Sequence, residues 1–166
     1  RSEQMFLQTY GQISENFQEM FTTLFGGGKA QLMLTDEENV LESGIDIKAQ
    51  PPGKKMLQLN LLSGGERSMT AVALLFATYM VKPSPFCILD EIDAALDTRN
   101  IGSFLHVLEK FGDKSQFIII THNKGTVLGS DCLLGVTQEE AGVSKMIGYK
   151  LEDIEDLAKK HDTLKG

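Results

Sequence analysis

"FCILDEIDAALD", residues 86–97, runs four apolar residues into two adjacent acids, Asp90 and Glu91, with further acids at Asp93 and Asp97. A short, continuous apolar run bounded by turn signals reads as a buried strand. Acids clustered where such a strand ends suit a metal-bound nucleotide, with Asp90 holding a Mg2+ ion through a water. Glu91 then accepts a proton from an attacking water. Neighbouring strand positions face opposite ways, so two adjacent acids take different roles only where the strand ends and the chain turns. An isolated Asp-Glu pair more often marks a plain strand end or a cap. The apolar run before it and "IDAALD" after it reverse that reading.

Downstream, "TRNIGSFLHVLEKFG" is amphipathic, with Ile101, Phe104, Leu105, Leu108 and Phe111 on one side. "QFIIIT" follows as a second apolar strand. Two apolar strands joined by such a helix predict parallel strands covered on both faces. Functional residues then gather at their carboxyl ends. That rule puts Asp90, Glu91 and the imidazole of His122 on one rim. His122 is placed to contact a γ-phosphate or orient a water. Asp97 precedes a helix and serves equally as its N-cap or as a functional acid.

Upstream, "LSGGE", residues 62–66, opens a helix over residues 65–81. Ser63 and Glu66 have the spacing of a capping box. Capping alone leaves Gly64 and Gly65 unexplained, because each weakens a first turn. Glycines there let a large anion reach bare N–H groups at the positive helix end. No G-x-x-x-x-G-K-[ST] phosphate loop is present. Gly28-Lys29 is followed by Ala30, and Gly53-Lys54 by Lys55. The chain therefore reads as half of an ATPase whose phosphate cradle lies elsewhere.

The 166 residues allow one ordinary domain, with 42% apolar and 23% charged residues. No apolar stretch suits a membrane span and no signal peptide is visible. A net charge of −7 argues against a DNA groove of its own. Lys54-Lys55 and Lys159-Lys160 read as solvated surface pairs. Cys87 and Cys132 read as buried free thiols in a reducing compartment. Residues 3–25 form a helix by periodicity, stopped by the three glycines at 26–28. "AQLMLT", "GIDIKAQ", "CLLGVT" and "VSKMIGY" read as strands, and "EDIEDLAKK" as a closing helix.

Together these motifs resemble those of ABC-type ATPases. "LSGGE" is similar to the ABC signature, "CILDE" to a Walker B strand with its catalytic Glu, "ALD" to the D-loop and "ITH" to the switch histidine. "QPPGKKMLQLNLLSGGERSMTAVALLFA", "KPSPFCILDEIDAALDTRN" and "SQFIIITHNKGTV" narrow the resemblance to the C-terminal head segment of bacterial or archaeal structural-maintenance-of-chromosomes (SMC) proteins, over residues 17–149. Arg67 stands where Lys is usual, which keeps the charge.

The resemblance implies an α/β fold: the C-terminal lobe of an ABC-type head, with a mainly parallel sheet flanked by helices, additional antiparallel strands, and no P-loop lobe. Residues 1–25 would root a coiled-coil arm and residues 26–166 would form the head half. ATP and Mg2+ are the implied ligands. Asp90 and Glu91 would act in one head, with Ser63, Gly64, Gly65 and Glu66 engaging ATP held by a second head, and Asp97 and His122 completing the site. The implied partners are the N-terminal P-loop half, a second SMC head in a homodimer, a kleisin subunit after the switch histidine, and DNA through the assembly. The implied setting is the cytoplasmic nucleoid, with a role in chromosome condensation and segregation. A coiled-coil DNA-repair relative, a transporter subunit and a non-enzymatic interaction fragment are the rival readings. A transporter subunit would carry its own contiguous P-loop.

Overall fold

A computed structural model describes residues 1–150. Two compact units are present, residues 1–121 and the part that begins at His122.

The first unit starts with α1, Ser2–Phe25. Its periodic aromatics bury Phe17, Met20, Phe21 and Leu24, whereas Met5 and Leu7 near its start are exposed. The helix ends as the glycines dictate: Gly26 adopts φ 69°, a left-handed cap that costs glycine little. Gly28 has a different necessity. At φ +86° its Cβ would lie 2.3 Å from the Gln50 carbonyl. This glycine therefore serves a close backbone approach rather than a phosphate.

Strands β1 (Lys29–Leu34), β2 (Ile45–Gln50) and β3 (Leu57–Gln58) form an antiparallel sheet in that order. Tyr10 Oη donates to the Leu32 carbonyl at 2.7 Å, and Ala30 N–H donates to Gln18 Oε1 at 2.8 Å, tying α1 to this sheet. A short 3₁₀ turn, Leu59–Leu61, leads into α2, Gly64–Val81. Strand β4 (Phe86–Asp90), helix α3 (Thr98–Gly112) and strand β5 (Gln116–Ile120) complete the unit. Its core joins Phe17 and Phe21 of α1, Met69, Ala73 and Phe76 of α2, and Phe104, Val107 and Phe111 of α3. The Phe76 and Phe111 rings stack with centroids 5.6 Å apart.

The β4–β5 pair is parallel, with Phe86 beside Gln116, Ile88 beside Ile118 and Asp90 beside Ile120. The expectation of a mainly parallel sheet is corrected here: every other described strand pairing is antiparallel. The expected cover on both faces is corrected too. Leu89 is buried and Cys87, Phe117 and Ile119 pack against the core, but Phe86, Ile88, Ile118 and Ile120 on the opposite face are 57%, 58%, 42% and 52% exposed. The apolar run encodes burial on two sides, and residues 1–121 supply only one of them.

In the second unit, α4 (Lys124–Leu128) is a short helix that periodicity missed, capped by Asn123 Oδ1 on the Gly125 N–H at 2.9 Å. Five residues are too few to register a helical period. Strands β6 (Cys132–Glu140) and β7 (Val143–Lys150) lie where strands were expected and pair as an antiparallel hairpin, with a register shift between Gln138 and Glu140. Cys87 is half-buried and Cys132 is exposed, correcting the buried-thiol expectation. Cys132 begins a hairpin whose residues are mostly exposed. The expected helix over "EDIEDLAKK" lies outside the described residues.

Candidate functional site

Asp90 is the last residue of β4 and is exposed. By strand alternation it shares a face with Phe86 and Ile88. Glu91 breaks the alternation. It has φ 48°, the single positive φ among described non-glycine residues. Its N–H donates to the Ile120 carbonyl at 2.9 Å, and its carbonyl accepts from Ala94 N–H at 3.2 Å. The strand thus ends at Asp90 and the chain reverses at Glu91, which lets the two adjacent acids differ in direction. A left-handed backbone at a residue with a Cβ costs about 1–2 kcal/mol, and such positions cluster at functional sites.

Asp93 is buried at 1% exposure and accepts a 2.7 Å hydrogen bond from Thr121 Oγ1. The turn after β4 is therefore fastened to the residue that follows β5. Asp97 caps α3, its Oδ1 accepting from Asn100 N–H at 2.8 Å. His122 is exposed and opens the second unit.

The turn before α2 contains a complete capping box. Ser63 N–H donates to Glu66 Oε2 at 3.2 Å, and Glu66 N–H donates to Ser63 Oγ at 3.4 Å. Arg67 N–H then makes the first intrahelical bond, to the Ser63 carbonyl at 2.8 Å. A helix leaves four N–H groups at its start without intrahelical partners. The box takes those of Ser63 and Glu66, and the remaining two belong to Gly64 and Gly65. A Cβ on Gly64 would meet nothing within 4 Å, so that side is open. A Cβ on Gly65 would sit 3.5 Å from the Ala95 carbonyl, so this turn and the turn after β4 lie side by side.

Lys54 is the main residue that sequence reasoning missed. Its Nζ lies 2.7 Å from Glu66 Oε1 while the side chain stays half exposed. The lysine is solvated, as read from the sequence, and also paired, which the sequence did not show. This pairing draws the Glu66 carboxyl below its usual range. The Lys54 hydrogen bond outweighs the opposing effect of burial, and the Ser63 N–H adds to it. Spacing carries no signal for a contact between a turn and a helix start. Arg67 Nη2 donates to the Asn60 and Leu62 carbonyls at 3.2 and 3.3 Å, bracing the approach to the same turn.

An open cleft of about 370 Å³ lies between α2 and the turn after β4, lined by Ser68, Ala71, Val72, Leu75, Glu91 and Ala95 among others. It is apolar and has no lysine or arginine, so it does not suit a triphosphate. Among the described residues no group of three or more His, Cys, Asp or Glu could enclose a metal. Mg2+ commonly takes only one or two carboxylates and fills its other positions with water and phosphate, so a single exposed acid such as Asp90 is chemically compatible with it. No described helix is long and apolar enough to cross a membrane.

A parallel strand pair tipped with two acids, beside a helix opened by Ser-Gly-Gly-Glu, defines an α/β domain of the kind found in SMC ATPase heads. A solved chain from work on ATP-driven dimerization and DNA-stimulated activation of SMC ATPases superposes with a TM-score of 0.82 and 36% identity, over 96% of this chain and 97% of that one. The Pyrococcus furiosus Smc head domain with an extended coiled coil, bound to the C-terminal domain of ScpA, gives a TM-score of 0.81 at 36% identity, over 96% of this chain and 40% of that one.

Residues 18–145 match the family described as RecF/RecN/SMC N terminal domain, and the chain belongs to that family. It is 53% identical over 152 residues to the chromosome partition protein Smc of Bacillus subtilis. That alignment covers 92% of this chain and 13% of the relative, so the chain corresponds to a segment of SMC proteins.

Proposed function

We propose that this chain is the C-terminal half of an SMC ATPase head, which binds and hydrolyses ATP once joined to a P-loop half. The observation that carries this reading is the β4–β5 pair. It ends in Asp90 and Glu91, yet it leaves Phe86, Ile88, Ile118 and Ile120 uncovered. A partner that brings the phosphate-binding amides covers this face. This sequence carries no P-loop motif, which supports a cradle supplied by another segment.

In this reading residues 1–25 are the root of the coiled-coil arm and residues 26–166 the head half. The exposed Met5 and Leu7 suit a helix that pairs with another over its first turns. Asp90 would hold Mg2+, which would supply charge neutralisation to the nucleotide's phosphates. Glu91 accepts the proton of the attacking water, its carboxylate set by the reversal of the chain after Asp90. His122 orients that water or meets the γ-phosphate. Asp97 holds the start of α3 beside the nucleotide. Ser63 Oγ and the N–H groups of Gly64 and Gly65 grip the triphosphate held by a second head, with Glu66 closing the turn. ATP thus joins two heads, and hydrolysis parts them. The cycle serves chromosome condensation and segregation in the nucleoid, with DNA engaged by the assembled homodimer. A kleisin binds in the region after His122; the ScpA-bound Smc head among the similar structures supports a partner of this kind on the head, whatever its contact region.

The test is reconstitution with the P-loop-bearing segment of the parent protein. Mg-dependent ATP turnover that neither part shows alone is expected. A reconstituted pair without turnover overturns the reading.

A further inference from the structure

The β2–β3 connection carries two exposed lysines, Lys54 and Lys55, and directs Lys54 to a defined partner. Pro52 and Gly53, with φ 75° at the glycine, occupy the central positions of a turn with the residue pattern of type II. Lys54 N–H closes it on the Pro51 carbonyl at 3.0 Å, and Gln50 Nε2 donates to the Lys54 carbonyl at 2.9 Å. Proline and glycine there limit the turn's freedom, so the lysine leaves it in a defined direction. That direction leads to Glu66 Oε1, 2.7 Å away.

Glu66 presents an electrostatic conflict. Its carboxylate is needed to close the capping box on Ser63 N–H. The same carboxylate puts a negative charge in the first turn of α2, next to the Gly64 and Gly65 amides that would meet a triphosphate. Like charges at such range repel. Arg67 Nη2 donates to the Asn60 and Leu62 carbonyls rather than to Glu66, so Lys54 is the cation seated on that carboxylate.

We propose that Lys54 is a positioning residue for ATP engagement by this turn: its ammonium neutralises Glu66 and holds that carboxylate on the capping box, so that the helix start presents net positive potential to the phosphates. This rests on the head reading above. Lys54 touches no nucleotide in it and acts through Glu66.

The experiment uses the full-length SMC chain that carries this segment, and measures steady-state ATP turnover against ATP concentration together with ATP-dependent head pairing. Lys54→Met raises the ATP concentration for half-maximal turnover about tenfold, the effect of one uncompensated charge near the phosphates. Lys54→Arg stays within about twofold of wild type, because the charge is kept. The deciding variant is Lys54→Met combined with Glu66→Gln. Glutamine still closes a capping box but carries no charge to neutralise, so most of the lost affinity returns. If the lysine only braces the turn, the double variant stays as impaired as Lys54→Met, and the proposal is overturned. Lys54→Met with wild-type ATP dependence also overturns it. A wild-type chain without Mg-dependent turnover overturns the head reading, and this proposal with it.

Discussion

Thr121 Oγ1 donates to the buried Asp93 carboxylate at 2.7 Å, joining the turn that follows Glu91 to the last residue before His122. Two segments 28 residues apart in sequence are fastened at the ends of neighbouring parallel strands. Asp93→Ala and Thr121→Val should each destabilise the chain, and a double-mutant cycle in denaturant should show coupling of about 1–3 kcal/mol, the range for hydrogen bonds to charged groups. Additive losses would mean that the bond contributes nothing of its own.

Glu91→Gln should abolish turnover in the assembled head and leave ATP-held head pairs intact. The amide keeps the side chain's shape and loses only its basicity. Analytical ultracentrifugation with ATP and Mg2+ checks this. A variant that neither hydrolyses nor pairs removes Glu91 from the role of base.

Ser63→Arg should spare ATP binding by the assembled head but stop pairing and turnover. A long cation there blocks the open side of Gly64. Normal turnover would take Ser63 out of the site.

Ile88→Gln and Ile118→Gln should leave the isolated chain folded, because both side chains already meet solvent. Each should weaken association with the P-loop half by about tenfold or more, because covering an isoleucine is worth about 1.5–3 kcal/mol. Titration by calorimetry reads the loss. Unchanged affinity would place the partner on another face.

The Glu66 carboxyl is held below its usual value by Lys54 and Ser63. A depressed folded-state value means that its stabilisation is fully present above the unfolded value, near 4.5, and is lost as pH falls through the lower folded value. Wild-type stability should therefore fall more steeply below about pH 4.5 than that of Glu66→Gln. Parallel slopes in acid denaturation would rule out the linkage.

Much of the fold was legible because it rests on local rules. The α1 aromatics recur at helical spacing, three glycines stop that helix, and Ser63 and Asp97 sit at the spacing of caps, as the structure has them. The two apolar runs at β4 and β5, joined by an amphipathic helix, give a parallel pair whose ends meet. These features depend on residues close together in the chain, where side-chain period and backbone geometry suffice.

The tertiary structure decided the rest. Which face of β4–β5 would be covered depends on what packs there, and residues 1–121 cover one side only. The left-handed turn at Glu91 follows from its bond to Ile120, across a strand pair. Lys54 meets Glu66, and Asp93 meets Thr121, through contacts between segments that no spacing rule connects. Periodicity reports how a residue sits within its own element. Pairing between elements is set by packing in three dimensions, where a turn, a helix start and a strand end come together only after the core has formed.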